Sequence, residues 1–364
     1  MEKIGFGIIG TGRISDWVLR GAVLDPRFEA VAVCSRHPES AVRFAESHGI
    51  ASAYSDLDEM LADPAVRAVY IGTPNHTHHD LAIRCLRKGK HVLCEKPLAS
   101  NATQAREMAK EARERGLLLM EAMISTLSPN FMKLQEKISC IGTVRHYFAA
   151  FCQYSSKIDL LRKIISGEES CPVPSSFNPD HSGGATQDIG IYTIYPMVTL
   201  FGKPESVKAE VTAIEVPATE GPRRIDTQAS VVFRYPGMSA SVLYSKAADS
   251  RLRTEISGEQ GSISLDQIHI TRQAEMTVRG TPTSGRSEGA KPEDNAIVLA
   301  EHADVIDDET RGAYSIKKFV TQKGKVVLKP LNRGFSDIRI DSPDGYRIVG
   351  VFRENYQVVT AGTN

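Results

Sequence analysis

Residues 4–15 read IGFGIIGTGRIS, an apolar run that ends in Gly10-Thr11-Gly12-Arg13-Ile14-Ser15. Ile4 to Ile9 suits a strand buried on both faces of a parallel sheet. Glycine at the first two turn positions permits a tight bend and a close approach of backbone to a pyrophosphate. The helix that follows, about Ser15 to Leu24, would then offer its unpaired N–H groups to the anion. Ser15 stands where a third glycine is usual, and is small enough for close packing. An isolated GxGxxS occurs often by accident. Here a strand precedes it, a helix follows, and a second strand is expected at Ala30 to Cys34. Gly10, Thr11, Gly12, Arg13 and Ile14 are therefore read as a dinucleotide-binding turn.

Working outward, the same alternation continues. Helices are expected at Pro38–His48, Asp56–Ala62, His79–Lys88 and Asn101–Arg115. Strands are expected at Ala68–Gly72, Val92–Leu93 and Leu117–Met120. Strands alternating with helices imply an α/β fold, a doubly wound parallel sheet of Rossmann type over residues 1–122. The pattern then changes. Thr143–Cys152, Ser206–Ile214, Thr227–Tyr235, Ala240–Ser245, Glu255–Ser257 and Ser262–Leu265 read as strands with few helices between them. They imply a second domain of α+β type over 123–280, with a mostly antiparallel sheet. Thr281 to Asp294 has linker composition, and 295–364 reads as a β-rich segment that completes or covers the second sheet.

Composition sets the bounds. At 364 residues, with zero formal net charge, two or three domains are expected and nucleic acid is a poor partner. No apolar run is long enough for a membrane span, and the chain enters a strand too early for a secretory leader. Cys34, Cys85, Cys94, Cys140, Cys152 and Cys171 form no CxxC pair, which suits reduced thiols and a cytoplasmic location.

Loops beyond the carboxyl ends of parallel strands form the ligand crevice. The second strand ends in Ser35-Arg36, where an acidic residue would favour NAD. Arg36 can pair with a 2′-phosphate and Ser35 can hydrogen-bond it, so NADP is expected, with NAD possible. Thr73, Pro74, Asn75 and His78 follow the third of these strands, and Glu95 and Lys96 the fourth; all six are expected to face the cofactor. His76, His78 and His79 lack a carboxylate or cysteine at ligand spacing, so no metal is expected.

TPNxxH and EKP, after a GxGxxS turn and an SR strand tip, resemble the Gfo/Idh/MocA oxidoreductases, most closely the branch of dimeric dihydrodiol dehydrogenases and NADP-linked xylose dehydrogenases. The resemblance covers roughly residues 1–270 and includes GLLLMEA (116–122), QYSSKID (153–159) and SGGATQDIGIYTIYP (182–196). It implies an NADP-dependent dehydrogenase acting on a sugar, cyclic polyol or dihydrodiol, and a homodimer. It places Lys96 in the substrate pocket as the group that polarises the reacting oxygen. Many members carry DxGxH; this chain reads Asp188-Ile189-Gly190-Ile191-Tyr192. Tyr192 is the implied proton-transfer residue, its phenolate stabilised by Lys96. Asp188 would orient substrate or Lys96, or cap a helix.

Residues 295–359 lack that family's closing pattern. AIVLA (296–300), GAYSIKKF (312–319), VVLKP (326–330) and GYRIVGVF (345–352) resemble the later half of a LexA/UmuD-type S24 peptidase domain. Lys317 matches the lysine of that family's Ser–Lys pair, but no partner serine segment precedes it, so Lys317 receives no catalytic role. Two rival readings stand beside the dehydrogenase: a non-catalytic NADP-binding regulator with a C-terminal interaction module, and an S24-type peptidase or repressor fusion.

Overall fold

The computed structural model describes residues 2–279, 297–302, 314–322, 325–330, 338–340 and 346–352 of the chain. Six parallel strands form the first sheet: β1 (Ile4–Ile9), β2 (Phe28–Cys34), β3 (Ser52–Tyr54), β4 (Ala68–Ile71), β5 (His91–Cys94) and β6 (Leu119–Glu121). Their order is β3-β2-β1-β4-β5-β6, so the chain reverses direction between β1 and β4. That reversal opens a crevice at the carboxyl ends of the strands. Ile8, Val33 and Tyr70 pack toward one helical layer; Ile9, Ala32, Val69 and Ile71 pack toward the other. Burial on both faces explains why these strands read as continuous apolar runs. The reading missed β3, which has only three residues, so the strand expected as fifth is the sixth.

The second sheet has seven strands: β7 (Val144–Cys152), β8 (Ser206–Val216), β9 (Arg223–Tyr235), β10 (Met238–Ser245), β11 (Thr254–Gly258), β12 (Gly261–Leu265) and β13 (Ala274–Val278). Their order is β13-β12-β11-β7-β10-β9-β8. Every neighbouring pair is antiparallel except β7 and β10, which run parallel. Those two strands bring Phe151 and Tyr244, the residues before their last, side by side at the same end of the sheet. Helices Pro129–Lys137 and Ile191–Phe201 cover one face through Phe131, Leu134 and Met197, which meet Tyr147, Ala149, Val231 and Val242. The first of these helices, Ile158–Ser166 and β13 were not read from the sequence.

A single π-helical turn, Thr186–Gly190, leads into the helix Ile191–Phe201. Asp226 fixes that turn: its Oδ2 accepts from Thr186 N and Oγ1, both at 2.7 Å. Thr186 Oγ1 also lies 2.9 Å from the Tyr244 hydroxyl. Such turns widen a helix locally and often present side chains at functional positions.

A third sheet contains β14 (Ile297–His302), β15 (Tyr314–Gln322), β16 (Lys325–Pro330), β17 (Ile338–Ile340) and β18 (Tyr346–Phe352). Its order is β17-β16-β15-β14-β18, antiparallel throughout. The segment is β-rich as expected. Among the described residues its strands pair with one another and do not extend the seven-stranded sheet, which corrects the expectation of a completing role by strand addition. The linker read at 281–294 lies outside the described residues.

Gly190 tests how tightly the π turn is packed. A Cβ there would lie 2.9–3.0 Å from ring atoms of Tyr244, which is buried and hydrogen-bonded. Gly190→Ala should destabilise the protein by about 1–3 kcal/mol through overpacking, read as a lower urea midpoint.

Candidate active site

The turn after β1 has the shape that the glycines suggested. Gly10 adopts φ +100°, and a Cβ there would lie 2.5 Å from Gly72 O. Gly12 caps the helix Arg13–Ala22 without any side-chain hydrogen bond, and nothing lies within 4 Å of where its Cβ would be. The first N–H groups of that helix therefore face open space that a side chain would fill and a phosphate can enter. Ser15 is fully buried; a Cβ on Gly72 would lie 2.6 Å from its Oγ. The third turn position thus packs helix against strand, as a small residue must. Thr11 is half-buried and Ile14 exposed at this turn, while the Arg13 guanidinium lies 4.9 Å over the Trp17 ring of its own helix. This cradle fits a dinucleotide.

Ser35 Oγ accepts from His37 N at 3.3 Å. Arg36 is exposed and forms no ion pair among the described residues. It is near enough to His76 to help lower that imidazole's pKa, behind the larger effects of burial and of His181. A free guanidinium at this strand tip suits a 2′-phosphate.

Residues of the next loop point in several directions. Asn75 Nδ2 donates to Ser182 O at 3.0 Å and ties the loop to the second sheet's segment. Thr73 Oγ1 meets Thr77 Oγ1 at 2.7 Å, and Pro74 O accepts from Thr77 Oγ1 at 2.7 Å. His78 differs from expectation. It is fully buried, with Nδ1 2.8 Å from Pro97 O and Nε2 2.9 Å from Thr73 O, so it braces two loops instead of facing the crevice. Glu95 is buried; its Oε1 accepts from the Tyr70 hydroxyl at 2.7 Å and its Oε2 from Lys96 N at 3.2 Å, and its charge is near enough to act on Lys96 and Tyr192. The three neighbouring histidines diverge: His76 stacks on His181, and His79 sits between Asp80 and Glu107.

Lys96 reaches across to the second sheet. Its Nζ donates to Asp188 O at 2.8 Å and to Asp188 Oδ1 at 3.1 Å, and lies 5.0 Å from the Tyr192 ring centre. Asp188 holds a second cation. Its Oδ2 accepts from Lys246 Nζ at 2.5 Å, and Lys246 also donates to Ser176 O at 3.0 Å and lies 4.2 Å over the Phe177 ring. Asp188 therefore orients lysines and caps nothing. Lys246 leaves the end of β10, its side chain only 3% exposed. The sequence signal was a lysine directly after a buried strand, at Tyr244-Ser245-Lys246, and no motif marked it.

The charges in this cluster shift one another. Burial would raise the Asp188 carboxyl, but the two ammonium groups hold it below its ordinary 3.8. Burial would lower Lys96, but Asp188 and nearby groups hold it above 10.5. Lys246 goes the other way. It is lowered by burial despite its ion pair, because its head is sealed and Lys96 repels it. Burial also raises Tyr192 above 10.0, outweighing the opposing pull of Lys96, so the expected phenolate stabilisation is not the net effect. Two more aromatic groups close the pocket: Phe151 meets Tyr192 edge to face at 5.7 Å, and His269 stacks on Phe151 at 4.1 Å.

A Rossmann sheet with an open glycine turn, whose Lys96 meets Asp188 and Tyr192 of the π turn and the helix after it, is the layout of a nicotinamide-dependent oxidoreductase. Residues 4–123 match the family described as "Oxidoreductase family, NAD-binding Rossmann fold", and residues 133–264 match the GFO/IDH/MocA C-terminal domain. The chain belongs to the GFO/IDH/MocA oxidoreductase family. It is 42% identical over 276 residues to the NADP(+)-dependent scyllo-inositol 2-dehydrogenase of Bacillus subtilis, covering 76% of this chain and 80% of that one. It is 33% identical over 267 residues to trans-1,2-dihydrobenzene-1,2-diol dehydrogenase of Xenopus laevis, covering 71% and 74%. Among solved structures, an NAD-binding oxidoreductase from Klebsiella pneumoniae superimposes with TM-score 0.66 at 25% identity, covering 77% of each chain. These matches do not extend the S24 likeness of the C-terminal segment; Lys317 lies on β15, paired with Val298 and Pro330.

Asp188 gives a pH prediction. Because its carboxyl is depressed in the folded state, its ion pairs stabilise the protein fully above the ordinary carboxylate range. That contribution drains away as pH falls below 3.8. Lys246→Met removes one of the two cations and lets burial raise the folded-state carboxyl toward its ordinary value, so the variant starts less stable at neutral pH and should lose less on acidification. Urea midpoints across roughly pH 3 to 6 should separate the two proteins; parallel curves would show that Lys246 does not hold Asp188 down.

Proposed function

We propose that the chain is an NADP-dependent dehydrogenase acting on a carbinol carbon of a sugar, cyclic polyol or dihydrodiol. The observation that carries this is the Lys96–Asp188–Tyr192 cluster at the carboxyl edge of the Rossmann sheet, across from the open Gly10–Gly12 turn. The B. subtilis and X. laevis relatives, named for an inositol and a dihydrodiol, support the substrate class.

Bound nicotinamide would supply the hydride chemistry, its pyrophosphate held by the N–H groups at Gly12 and Arg13 and its 2′-phosphate by Arg36 and Ser35. Lys96, held charged by Asp188, polarises the reacting oxygen. Tyr192 exchanges the hydroxyl proton. Its raised pKa keeps the phenol protonated at neutral pH, ready to donate when a carbonyl is reduced. Asp188 fixes Lys96 through both its carbonyl and its carboxylate, and Lys246 fixes Asp188. Glu95 and His78 support the loops that carry these groups.

We further propose a homodimer through the outer face of the seven-stranded sheet. Pairing places Phe148, Ala150, Val232 and Leu243 together on that face, among serines. A dimer would cover them, and light scattering at one chain's mass would reject this. We take 1–122, 123–280 and 295–364 as the units of the chain, and place the protein in the cytoplasm, where its cysteines stay as free thiols. Among the described residues no helix is long and apolar enough to cross a membrane.

Two experiments test the reading. The double variant Lys96→Met/Tyr192→Phe should lose roughly 10²–10⁴-fold in NADPH-dependent turnover while still binding NADPH. Equal turnover would sink the assignment. Tight NADPH binding by the wild type, without turnover across aldoses, inositols and dihydrodiols, would instead favour a regulator. Arg36→Ala should raise the NADP dissociation constant about tenfold and leave that of NAD nearly unchanged. If both cofactors weaken equally, Arg36 is structural.

A further inference from the structure

His269 belongs to no motif in the sequence. It sits on the connection between β12 and β13, yet its imidazole arrives beside the reacting groups. The ring lies flat on Phe151, with centroids 4.1 Å apart and planes 12° apart. It stands 6.3 Å from the Tyr192 ring at 72°, and Phe151 meets Tyr192 edge to face at 5.7 Å. The three rings form one wall next to Lys96, whose Nζ is 5.0 Å from the Tyr192 ring centre.

The connection that carries His269 is held firmly. Asp266 Oδ1 accepts from Gln267 N at 2.9 Å and from Arg272 N and Gln273 N, both at 3.0 Å. Asn130 Nδ2 donates to Thr271 O and Arg272 O at 3.0 and 2.9 Å. These bonds clamp the backbone on both sides of His269, so its ring is presented from a fixed base.

Polar side chains that are buried normally find hydrogen-bond partners. Among the described residues the imidazole of His269 makes ring contacts but no hydrogen bond. Nor are its nitrogens among the sealed, unpartnered side-chain atoms, which are Ser15 Oγ, Ser125 Oγ and Thr254 Oγ1. Its polar edge is thus reached by solvent, which a ligand can displace. Burial, with Arg272 adding to it, pushes the imidazole down to about 4, so at neutral pH the ring is uncharged and offers one donor and one acceptor. That is the complement of a hydroxyl group. An aromatic wall with one such edge matches a hydroxylated ring: the carbon face packs on Phe151 and an oxygen meets His269.

We propose that His269 is a substrate-specificity residue that hydrogen-bonds a second hydroxyl, adjacent to the carbinol held by Tyr192 and Lys96, and so selects vicinal diols over simple alcohols. This rests on the dehydrogenase reading given above. Binding both oxygens fixes which face of the ring, and which carbon, is presented for oxidation. The assignment reaches past the catalytic pair to the chemistry of the neighbouring carbon.

The test uses the NADP-loaded full chain with two probes, trans-1,2-cyclohexanediol and cyclohexanol. Wild-type kcat/KM should favour the diol. His269→Phe keeps the stack on Phe151 but removes the polar edge. It should lower kcat/KM for the diol roughly tenfold, mostly through KM, and leave cyclohexanol almost unchanged. His269→Gln, which keeps a donor and an acceptor, should restore part of the preference for the diol. An unchanged NADPH dissociation constant in each variant confirms that the fold is intact. If His269→Phe lowers both substrates equally, or neither, the His269 assignment fails while the dehydrogenase reading stands. If wild-type protein oxidises no member of a wider polyol and alcohol panel, the dehydrogenase reading fails and His269 falls with it.

Discussion

Two ammonium groups and one carboxylate share a space from which most water has been removed, and the two halves of the molecule are joined across it. Lys96 comes from the loop after β5, Asp188 from the π turn, and Lys246 from the end of β10. Asp188 is shared between the two cations, and Glu95 and Asp226 add negative charge nearby, so Lys96 stays charged beside Tyr192. Removing ions from water costs several kcal/mol each, and the cost is offset only where geometry and extra hydrogen bonds are good. Here they are: Asp188 offers three acceptor contacts, and Lys246 gains the Ser176 carbonyl and the Phe177 ring as well. Other contacts follow the same seam. Ser182 Oγ donates to Ser100 Oγ at 2.6 Å, and Gln187 Nε2 donates to Ser100 O at 3.0 Å. The seam orders the segment 182–192, and that segment carries Asp188 and Tyr192.

A fixed ammonium group there also has a chemical use. Negative charge develops on the reacting oxygen when a carbinol is oxidised or a carbonyl reduced. A fixed ammonium group stabilises that charge without reorganising at the moment of reaction. Tyr192 remains a neutral phenol because burial outweighs the opposing pull of Lys96.

Much of this was legible in the sequence, for reasons that differ between the two halves. Parallel strands buried on both faces announce themselves as apolar runs, and only Ser52–Tyr54 was too short to be seen. Helices Pro129–Lys137 and Ile158–Ser166 lie in stretches to which no element was assigned. The parallel pairing of β7 with β10 joins residues about ninety positions apart, which no local pattern reports. Lys96 and Asp188 were found through their motifs. His78 was misplaced because a position at a strand end does not fix where the side chain points; it found buried carbonyl partners. Lys246 and His269 were missed because their importance arises only when β10 and the β12–β13 connection meet the π turn.

The parallel alignment of β7 and β10 also bears on how such a protein diverges. Sheet polarity gives the two strands a common exit, so Phe151 and Lys246 emerge on one rim while the opposite rim receives only their beginnings. Insertions and substitutions accumulate in connections more readily than in strands. Those that fall on the exit rim alter what the cleft admits; those on the far rim leave it untouched. A lineage can therefore change its diet by rewriting a few short connections, and the strand register that sets the cleft's floor is inherited intact.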